Sequence, residues 1–158
     1  MGQLLGEYDC KIDAKGRVML PTGLRKQIEP EAKDKYVVNR GFESCIAMYP
    51  YNEWQKIYAK VNELNLYVKK NRDFVRYFFR GATEIELDAT GRLLLPKRLL
   101  EYASIEKELI LSAHNHLIEI WNKQTFENLL QQEPGEFAQL AEEVMGSINT
   151  GGNSGEVS

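Results

Sequence analysis

A ten-residue pattern occurs twice in this chain and limits the folds that it can adopt. Residues 12–21 read IDAKGRVMLP and residues 87–96 read LDATGRLLLP, so Asp, Ala, Gly, Arg and Pro recur at identical offsets. Apolar segments then follow in the same order: YVV at 36–38 corresponds to LIL at 109–111. Self-similarity on this scale indicates two homologous structural units rather than one irregular domain.

Each copy predicts the same local structure. An apolar segment leads into Asp-x-x-Gly, the residue order of a tight turn, and the strand that returns from it begins at Arg17 or Arg92, so we expect a hairpin. Pro21 and Pro96 end these strands and suit the first position of a short helix, where a missing N–H is no loss. Two further short strands complete each unit. Because so small a unit buries too little surface to be stable alone, the two should share a core in an α+β, β-rich fold.

Helical segments lie between and after the two units. Residues 52–67 and 71–79 carry apolar side chains at three- and four-residue steps, as does the stretch that begins at Phe126, and we expect their aromatic residues in the core. The last residues are rich in Gly, Ser and Asn, which predicts disorder. The predicted organisation is a first repeat at 1–54, a helical linker at 55–82, a second repeat at 83–126, a C-terminal helix at 127–145 and a disordered tail at 146–158.

The distribution of charge restricts how this protein can contact nucleic acid. The chain has 20 Lys and Arg against 23 Asp and Glu, a net charge of -3. Residues 1–100 hold 18 basic and 13 acidic side chains, whereas residues 101–158 hold 2 basic and 10 acidic ones. A chain that coats nucleic acid indiscriminately has a positive net charge, so the negative net charge of this chain argues against that mode of binding. Any contact with DNA must therefore be local.

The repeated turn is the strongest candidate for such a contact. Asp13 and Asp88 can accept N–H bonds within their own turns or pair with the Arg four residues on, which would hold that guanidinium outward. One interpretation is purely structural: Asp with Gly16 or Gly91 shapes a turn, and the Arg is a solvated charge. For Asp and Gly we favour that interpretation. For Arg17 with Lys15 we favour DNA contact, since a turn does not require two cations at its tip. The planar guanidinium of an arginine held in place can also donate two hydrogen bonds to guanine O6 and N7 or to phosphate oxygens. In the second turn Thr90 replaces the lysine, which leaves Arg92 with less positive charge around it.

A second basic group lies in the linker, where Arg72, Arg76 and Arg80 recur at four-residue steps, which predicts one helix face. A charge run of this kind is usually a solvated face. Pairing with the acidic C-terminal third of the same or a neighbouring subunit is a competing interpretation, and contact with DNA phosphates is a third. The sequence contains neither a GxGxxG nor a GxxxxGK loop, and no Ser or Cys next to a base in a recognisable catalytic motif.

These landmarks together resemble one protein family. Two copies of Asp-x-x-x-Arg, each followed by strand, Pro and helix, Tyr49-Pro50 before Glu53-Trp54, and EIW at 119–121 are similar to the MraZ proteins, over roughly residues 1–145. MraZ-like proteins belong to the group with AbrB-like swapped-hairpin DNA-binding domains. The resemblance implies a β-barrel made by interleaved halves, a ring of several subunits, and a location in cytoplasm and nucleoid. It also implies no enzymatic activity and no cofactor. The sequence itself has no metal-ligand cluster and no apolar run long enough to cross a bilayer, so we expect no metal, no membrane association and no small-molecule substrate.

The resemblance further implies which residues contact double-stranded DNA. Lys15 and Arg17 come first, Arg92 is the counterpart in the second repeat, and Arg25 fits the basic position of the helix after the proline. Leu100 stands where the second repeat of the family usually has a basic residue. The implied function is a transcriptional repressor of the division and cell-wall gene cluster, including its own promoter, through short direct repeats. The alternative is an AbrB-type antitoxin, or another protein-interaction module, with secondary DNA binding.

Overall fold

The computed structural model describes residues 3–131 and 133–157, with side chains described as far as Gly146. It separates into two compact units, one ending at Phe126 and one beginning at Glu127. The strands are β1 (Leu4–Lys11), β2 (Arg17–Met19), β3 (Lys35–Arg40), β4 (Ile46–Pro50), β5 (Thr83–Glu86), β6 (Arg92–Leu94), β7 (Glu108–Asn115) and β8 (Leu117–Asn122). The helices are α1 (Thr22–Arg25), α2 (Tyr51–Val61), α3 (Lys69–Phe78), α4 (Lys97–Tyr102), α5 (Lys123–Leu129) and α6 (Pro134–Val157), with a short 3-10 turn at Pro30–Ala32.

Strands from the two repeats pair with each other. The described chain forms one antiparallel sheet of six strands in the order β1-β7-β8-β4-β3-β5, and a separate two-stranded ribbon of β2 and β6. β1 of the first repeat pairs with β7 of the second from Leu4↔Asn115 to Lys11↔Glu108, while β5 of the second pairs with β3 of the first. The halves are therefore interleaved, and the fold is mixed α and β and rich in sheet.

The repeated turns do not produce the hairpins that the sequence predicts. Between the two arms of the first turn only the bridge Ile12↔Val18 remains, and beyond it β1 joins β7 while β2 joins β6. The turns themselves form as predicted, because Asp13 N–H donates to the Arg17 carbonyl at 2.9 Å. A local pattern specifies the turn, but the pairing of its arms depends on apolar surface supplied by the other repeat.

One apolar core holds both repeats, which confirms the expected shared core. Equivalent residues of the two copies meet in it: Leu24 and Leu99 from α1 and α4 are 0% and 2% exposed, and Val18 and Leu93 from the ribbon are each 1% exposed. Full burial of a leucine side chain stabilises the fold by about 2 kcal/mol before entropy is counted. Since each half supplies about half of these residues, neither repeat has a complete core of its own.

A smaller aromatic cluster packs the linker helices onto the sheet. Trp54 of α2 is 7% exposed and stacks on Phe78 of α3 with 5.7 Å between ring centroids. The expectation of buried aromatic residues was wrong for Phe74 of α3, which is 43% exposed, and for Phe137 of α6, which is 62% exposed. Periodicity identified the apolar faces, but a face is buried only where a neighbouring element covers it.

The first linker helix is shorter than the sequence predicts. α2 ends at Val61 instead of residue 67. Asn65 explains the difference: its side-chain oxygen accepts the Tyr67 N–H at 3.0 Å, and its carbonyl accepts the Asn71 side-chain amide at 3.0 Å. Such local bonds offer the backbone an alternative to the helical ladder.

The second unit is helical. α5 ends at Leu129, and α6 runs from Pro134 to Val157. The predicted division of the C-terminal residues into a helix and a tail stays a prediction. None of the helices in the described ranges is long and apolar enough to cross a bilayer.

Candidate nucleic-acid interface

In the first repeated turn the Asp13 carboxylate accepts three hydrogen bonds, two of them from Arg17. Asp13 Oδ1 accepts the backbone N–H groups of Lys15 and Arg17, both at 2.9 Å, and Asp13 Oδ2 accepts Arg17 Nε at 2.9 Å. Gly16 has φ +88°, and a Cβ there would lie 3.3 Å from the Leu95 carbonyl oxygen, so the position requires glycine. Because only Nε of the guanidinium is bonded in the described chain, both Nη groups can donate to a ligand.

The second turn repeats this geometry with one substitution. Asp88 Oδ1 accepts the backbone N–H groups of Thr90 and Arg92, both at 2.9 Å. The Thr90 hydroxyl donates to Asp88 Oδ1 at 2.8 Å and accepts Arg92 Nε at 2.8 Å. Gly91 has φ +85° and occupies the same left-handed position as its counterpart. In the second turn the Thr90 hydroxyl therefore accepts the Nε–H of the arginine, whereas in the first turn Asp13 accepts it directly.

These bonds stabilise the ionised form of both carboxylates. The backbone N–H of Arg17 is the largest influence that lowers the pKa of Asp13, and the Arg17 side chain and the Lys15 N–H add to it. The backbone N–H of Arg92, followed by the Thr90 hydroxyl, lowers the pKa of Asp88 to about 2. Both Asp side chains therefore stay charged at neutral pH and keep their arginines in place.

The β2–β6 ribbon brings the two turns together. Its register is Arg17↔Leu94, Val18↔Leu93 and Met19↔Arg92, and the bonds Leu20 N to Gly91 O and Leu95 N to Gly16 O extend it at both ends. Because side chains alternate along a strand, Val18 and Leu93 point into the core while the residues on either side point outward. Arg92 Nη1 lies 3.8 Å from Asp13 Oδ2, so the carboxylate of one turn also faces the arginine of the other.

The outward face of the ribbon, consisting of Arg17, Met19, Arg92 and Leu94, combines charge with apolar surface. The two arginine side chains are about one-third exposed, at 30% and 31%, while Met19 and Leu94 are 52% and 55% exposed. Sequence reasoning identified both arginines but missed Met19 and Leu94. The two-residue period of a strand could have identified them, because it places Met19 on the same face as Arg17 and Leu94 on the same face as Arg92.

Pairing between the repeats also decides where Arg25 lies. A Cβ on Gly91 would lie 3.7 Å from Arg25 Nη1, so the guanidinium is beside the second turn although Arg25 belongs to the first repeat. Leu100, the counterpart of Arg25 in the second repeat, lies beside the first turn in the same way, since a Cβ on Gly16 would lie 3.5 Å from Leu100 Cδ1. The first turn thus has Lys15 as its additional cation, and the second turn has Arg25. Arg25 also lies 3.7 Å from Asp34 Oδ2.

An open groove of about 780 Å³ runs beside the first turn. Lys15 and Lys97 line it together with the apolar side chains of Leu94 and Leu100. β5 contributes Glu84 and Glu86, which line the same groove. Lys97 was not among the predicted site residues, because it occupies the position of an uncharged Thr in the first repeat.

The second basic group does not form the continuous face that the sequence predicts. Arg72 and Arg76 lie on α3, where Arg72 Nη1 donates to the Leu66 carbonyl at 2.9 Å and Arg76 Nη1 lies 3.6 Å from Asp73 Oδ1. α3 ends at Phe78, so Arg80 follows the helix and lines a separate cavity. Within the described ranges, no group of three or more His, Cys, Asp and Glu side chains could hold a metal ion.

Comparison with known proteins gives consistent matches over both repeats. The chain matches the family described as "MraZ protein, putative antitoxin-like" twice, over residues 3–77 and 78–146. It is 46% identical over 150 residues to the transcriptional regulator MraZ of Flavobacterium psychrophilum, covering 94% of this chain and 96% of that protein. The same name is carried by a protein of Christiangramia forsetii, 45% identical over 155 residues, with 98% of this chain and 100% of that protein covered. A third, from Cytophaga hutchinsonii, is 44% identical over 145 residues, covering 92% and 96%.

Proposed function

This chain belongs to the MraZ family, and we propose that it is a sequence-specific DNA-binding transcription regulator that contacts DNA with the outward face of the β2–β6 ribbon. The observation that carries the proposal is the pair of arginines, each braced by its own turn, on one exposed two-stranded ribbon. A two-stranded ribbon fits the major groove. Arginine is suited to guanine O6 and N7, and apolar side chains such as Met19 and Leu94 suit the methyl group of thymine.

Self-association accounts for DNA binding by a chain of net charge -3. Each subunit offers a small group of cations, consisting of Lys15, Arg17, Arg25 and Arg92. In a ring of subunits, binding of one ribbon raises the effective concentration of the next, so weak individual contacts combine into tight binding on spaced direct repeats. We extend the proposal to repression of the division and cell-wall gene cluster, including the protein's own promoter, in the cytoplasm and nucleoid.

A gel-shift titration of the DNA upstream of the protein's own gene tests the proposal. Arg17→Ala removes a guanidinium that is braced at 2.9 Å, so the affinity for that DNA should fall by about tenfold or more. The matched control is Lys60→Ala, which removes one exposed positive charge from α2 and should leave the affinity within about twofold. Equal binding by the wild type and by Arg17→Ala would rule out the ribbon as the reading element.

A second candidate function is an antitoxin or other protein-interaction module that binds DNA secondarily. The exposed apolar residues of α6 favour it, since Phe137, Leu140 and Val144 are 62%, 45% and 51% exposed at helical spacing. The chain has no Lys or Arg after Lys123, so such a partner would present a basic surface. Co-purification of a small basic protein that depends on Phe137, or a toxin-like gene adjacent to this one, would favour this candidate.

A further inference from the structure

Three arginines line one cavity on the side of the first unit. The cavity has a volume of about 440 Å³ and is lined by Arg40, Arg80 and Arg98, together with Glu101 and Tyr102. These arginines come from separate parts of the chain: Arg40 ends β3, Arg80 follows α3, and Arg98 lies in α4. The cavity is formed only when the two repeats and the linker fold together.

The charges around this cavity are not balanced. In the described part of the chain, none of the three guanidinium groups lies within salt-bridge distance of a carboxylate, and Glu101 forms no salt bridge either. Arginine stays charged at any physiological pH, so the lining carries three positive charges against one negative charge. A cleft lined mainly by one sign of charge concentrates the opposite ion.

Contacts around the cavity hold Arg40 in position and fix the turn that carries Arg80. Arg40 lies over the Tyr102 ring at 4.5 Å from its centroid, and the Tyr102 hydroxyl donates to the Glu43 carbonyl at 3.2 Å. Gly81 has φ +78°, and a Cβ there would lie 3.4 Å from Leu99 Cδ2, so the turn that carries Arg80 packs closely against α4. Binding by Arg40 then costs less side-chain entropy than it would with a free arginine.

We propose that this cavity binds a free phosphate-bearing anion of at least two negative charges. The guanidinium fork matches phosphate oxygens in geometry as well as in charge, and three forks around one cavity can contact one such group from several sides. A volume of about 440 Å³ is that of a small-ligand site and leaves room for more than the phosphate itself.

Titration calorimetry of the full-length protein with inorganic phosphate and with pyrophosphate tests the site in a phosphate-free, low-salt buffer. The wild type should bind pyrophosphate saturably and more tightly than phosphate. Arg80→Gln and Arg98→Gln change exposed side chains outside the core and should each weaken binding by about tenfold or more. Arg76→Gln on the neighbouring α3 makes the same change in net charge and should stay within about twofold of the wild type.

Three outcomes would overturn the proposal. Absence of saturable binding at millimolar pyrophosphate is the first, and an equal loss in Arg76→Gln is the second, because it would reflect general electrostatics. The third comes from the gel shift in the same buffer: if Arg80→Gln and Arg98→Gln lose promoter affinity as Arg17→Ala does, these arginines contact the DNA backbone instead. Because DNA affinity and anion affinity are measured separately, either proposal can fail while the other stands.

Discussion

Asp13 and Asp88 each connect the shape of a turn to the orientation of an arginine. In each carboxylate Oδ1 accepts two backbone N–H groups of its own turn, while the other oxygen, Oδ2, lies next to the guanidinium. The two sites differ in one step: Asp13 accepts Arg17 Nε directly at 2.9 Å, whereas Arg92 Nε donates to Thr90 and lies 3.4 Å from Asp88 Oδ2. The conformational restriction of each arginine therefore depends on an ionised Asp.

The acid stability of the protein should depend on Asp88. Its pKa is about 2 in the folded protein against an ordinary 3.8, so the unfolded chain binds the proton more readily. The stabilisation from this carboxylate is thus complete above pH 3.8 and is lost as the pH falls to about 2. Urea denaturation across this range should show the free energy of unfolding of Asp88→Asn approaching that of the wild type as the pH falls.

The control for this experiment is Asp9→Asn, which removes a carboxylate whose side chain is 73% exposed on β1. It should not reproduce the change in pH dependence. A constant difference between Asp88→Asn and the wild type from neutral pH down to pH 2 would show that Asp88 does not contribute through its ionisation.

At the scale of elements, the β2–β6 ribbon performs two separate tasks on its two faces. The inward residues Val18 and Leu93 complete the shared core, and the outward residues form the proposed reading surface. Each strand of the ribbon has only three residues, which is too few for an isolated ribbon to be stable. Burial of the inner face in the core therefore keeps the outer face in position. Stability and DNA affinity should therefore be separable by substituting adjacent residues.

Leu93→Ala and Leu94→Ala should each change a different one of these two properties. Leu93 is 1% exposed, so truncation leaves a cavity in the core and should lower the free energy of unfolding by about 2–5 kcal/mol. Leu94 is 55% exposed, so its truncation should change the free energy of unfolding by about 0.5 kcal/mol or less. Urea denaturation measures the first property, and promoter gel shift the second.

If the proposal is correct, Leu94→Ala also lowers promoter affinity while the fold remains intact. Comparable losses of stability in the two variants would mean that the ribbon does not separate the tasks by face.

For the whole molecule, the acidic C-terminal portion and the proposed basic reading surface are far apart in sequence and opposite in charge. The first 100 residues carry the cationic excess, while the chain contains no Lys or Arg after Lys123. If the proposal is correct, DNA binding comes from repeated presentation of a small cationic surface and not from the overall charge. The dependence of affinity on salt measures this repetition directly.

The salt dependence of promoter binding should change more than a single lost contact predicts. One phosphate contact contributes about -0.9 to the slope of log affinity against log salt concentration. If several subunits bind one DNA, Lys15→Ala removes an exposed cation suited to phosphate from each, so the magnitude of the slope should fall by a multiple of that value. Gel-shift titrations at several salt concentrations provide the slope, with Lys60→Ala as the charge-matched control. A fall of only about one contact would indicate that one subunit binds at a time.

Local interactions made much of this protein predictable from its sequence. The turns at Asp13 and Asp88, the strand that follows each and the short helix after each proline all depend on residues within a few positions of one another. The duplication also indicated two units with a shared core, because neither is large enough alone. The resemblance between the repeats and the MraZ proteins was confirmed by comparison over both halves.

The tertiary structure decided what depends on residues distant in the chain. It paired β2 with β6 and not with β1, placed Arg25 beside the second turn, left Phe74 and Tyr77 exposed on α3, and gathered Arg40, Arg80 and Arg98 around one cavity. A local pattern encodes which face of a strand or helix is apolar, and the sequence alone was sufficient for that. Which partner covers the face depends on the competition among all apolar surfaces during folding, and only the complete fold resolves it.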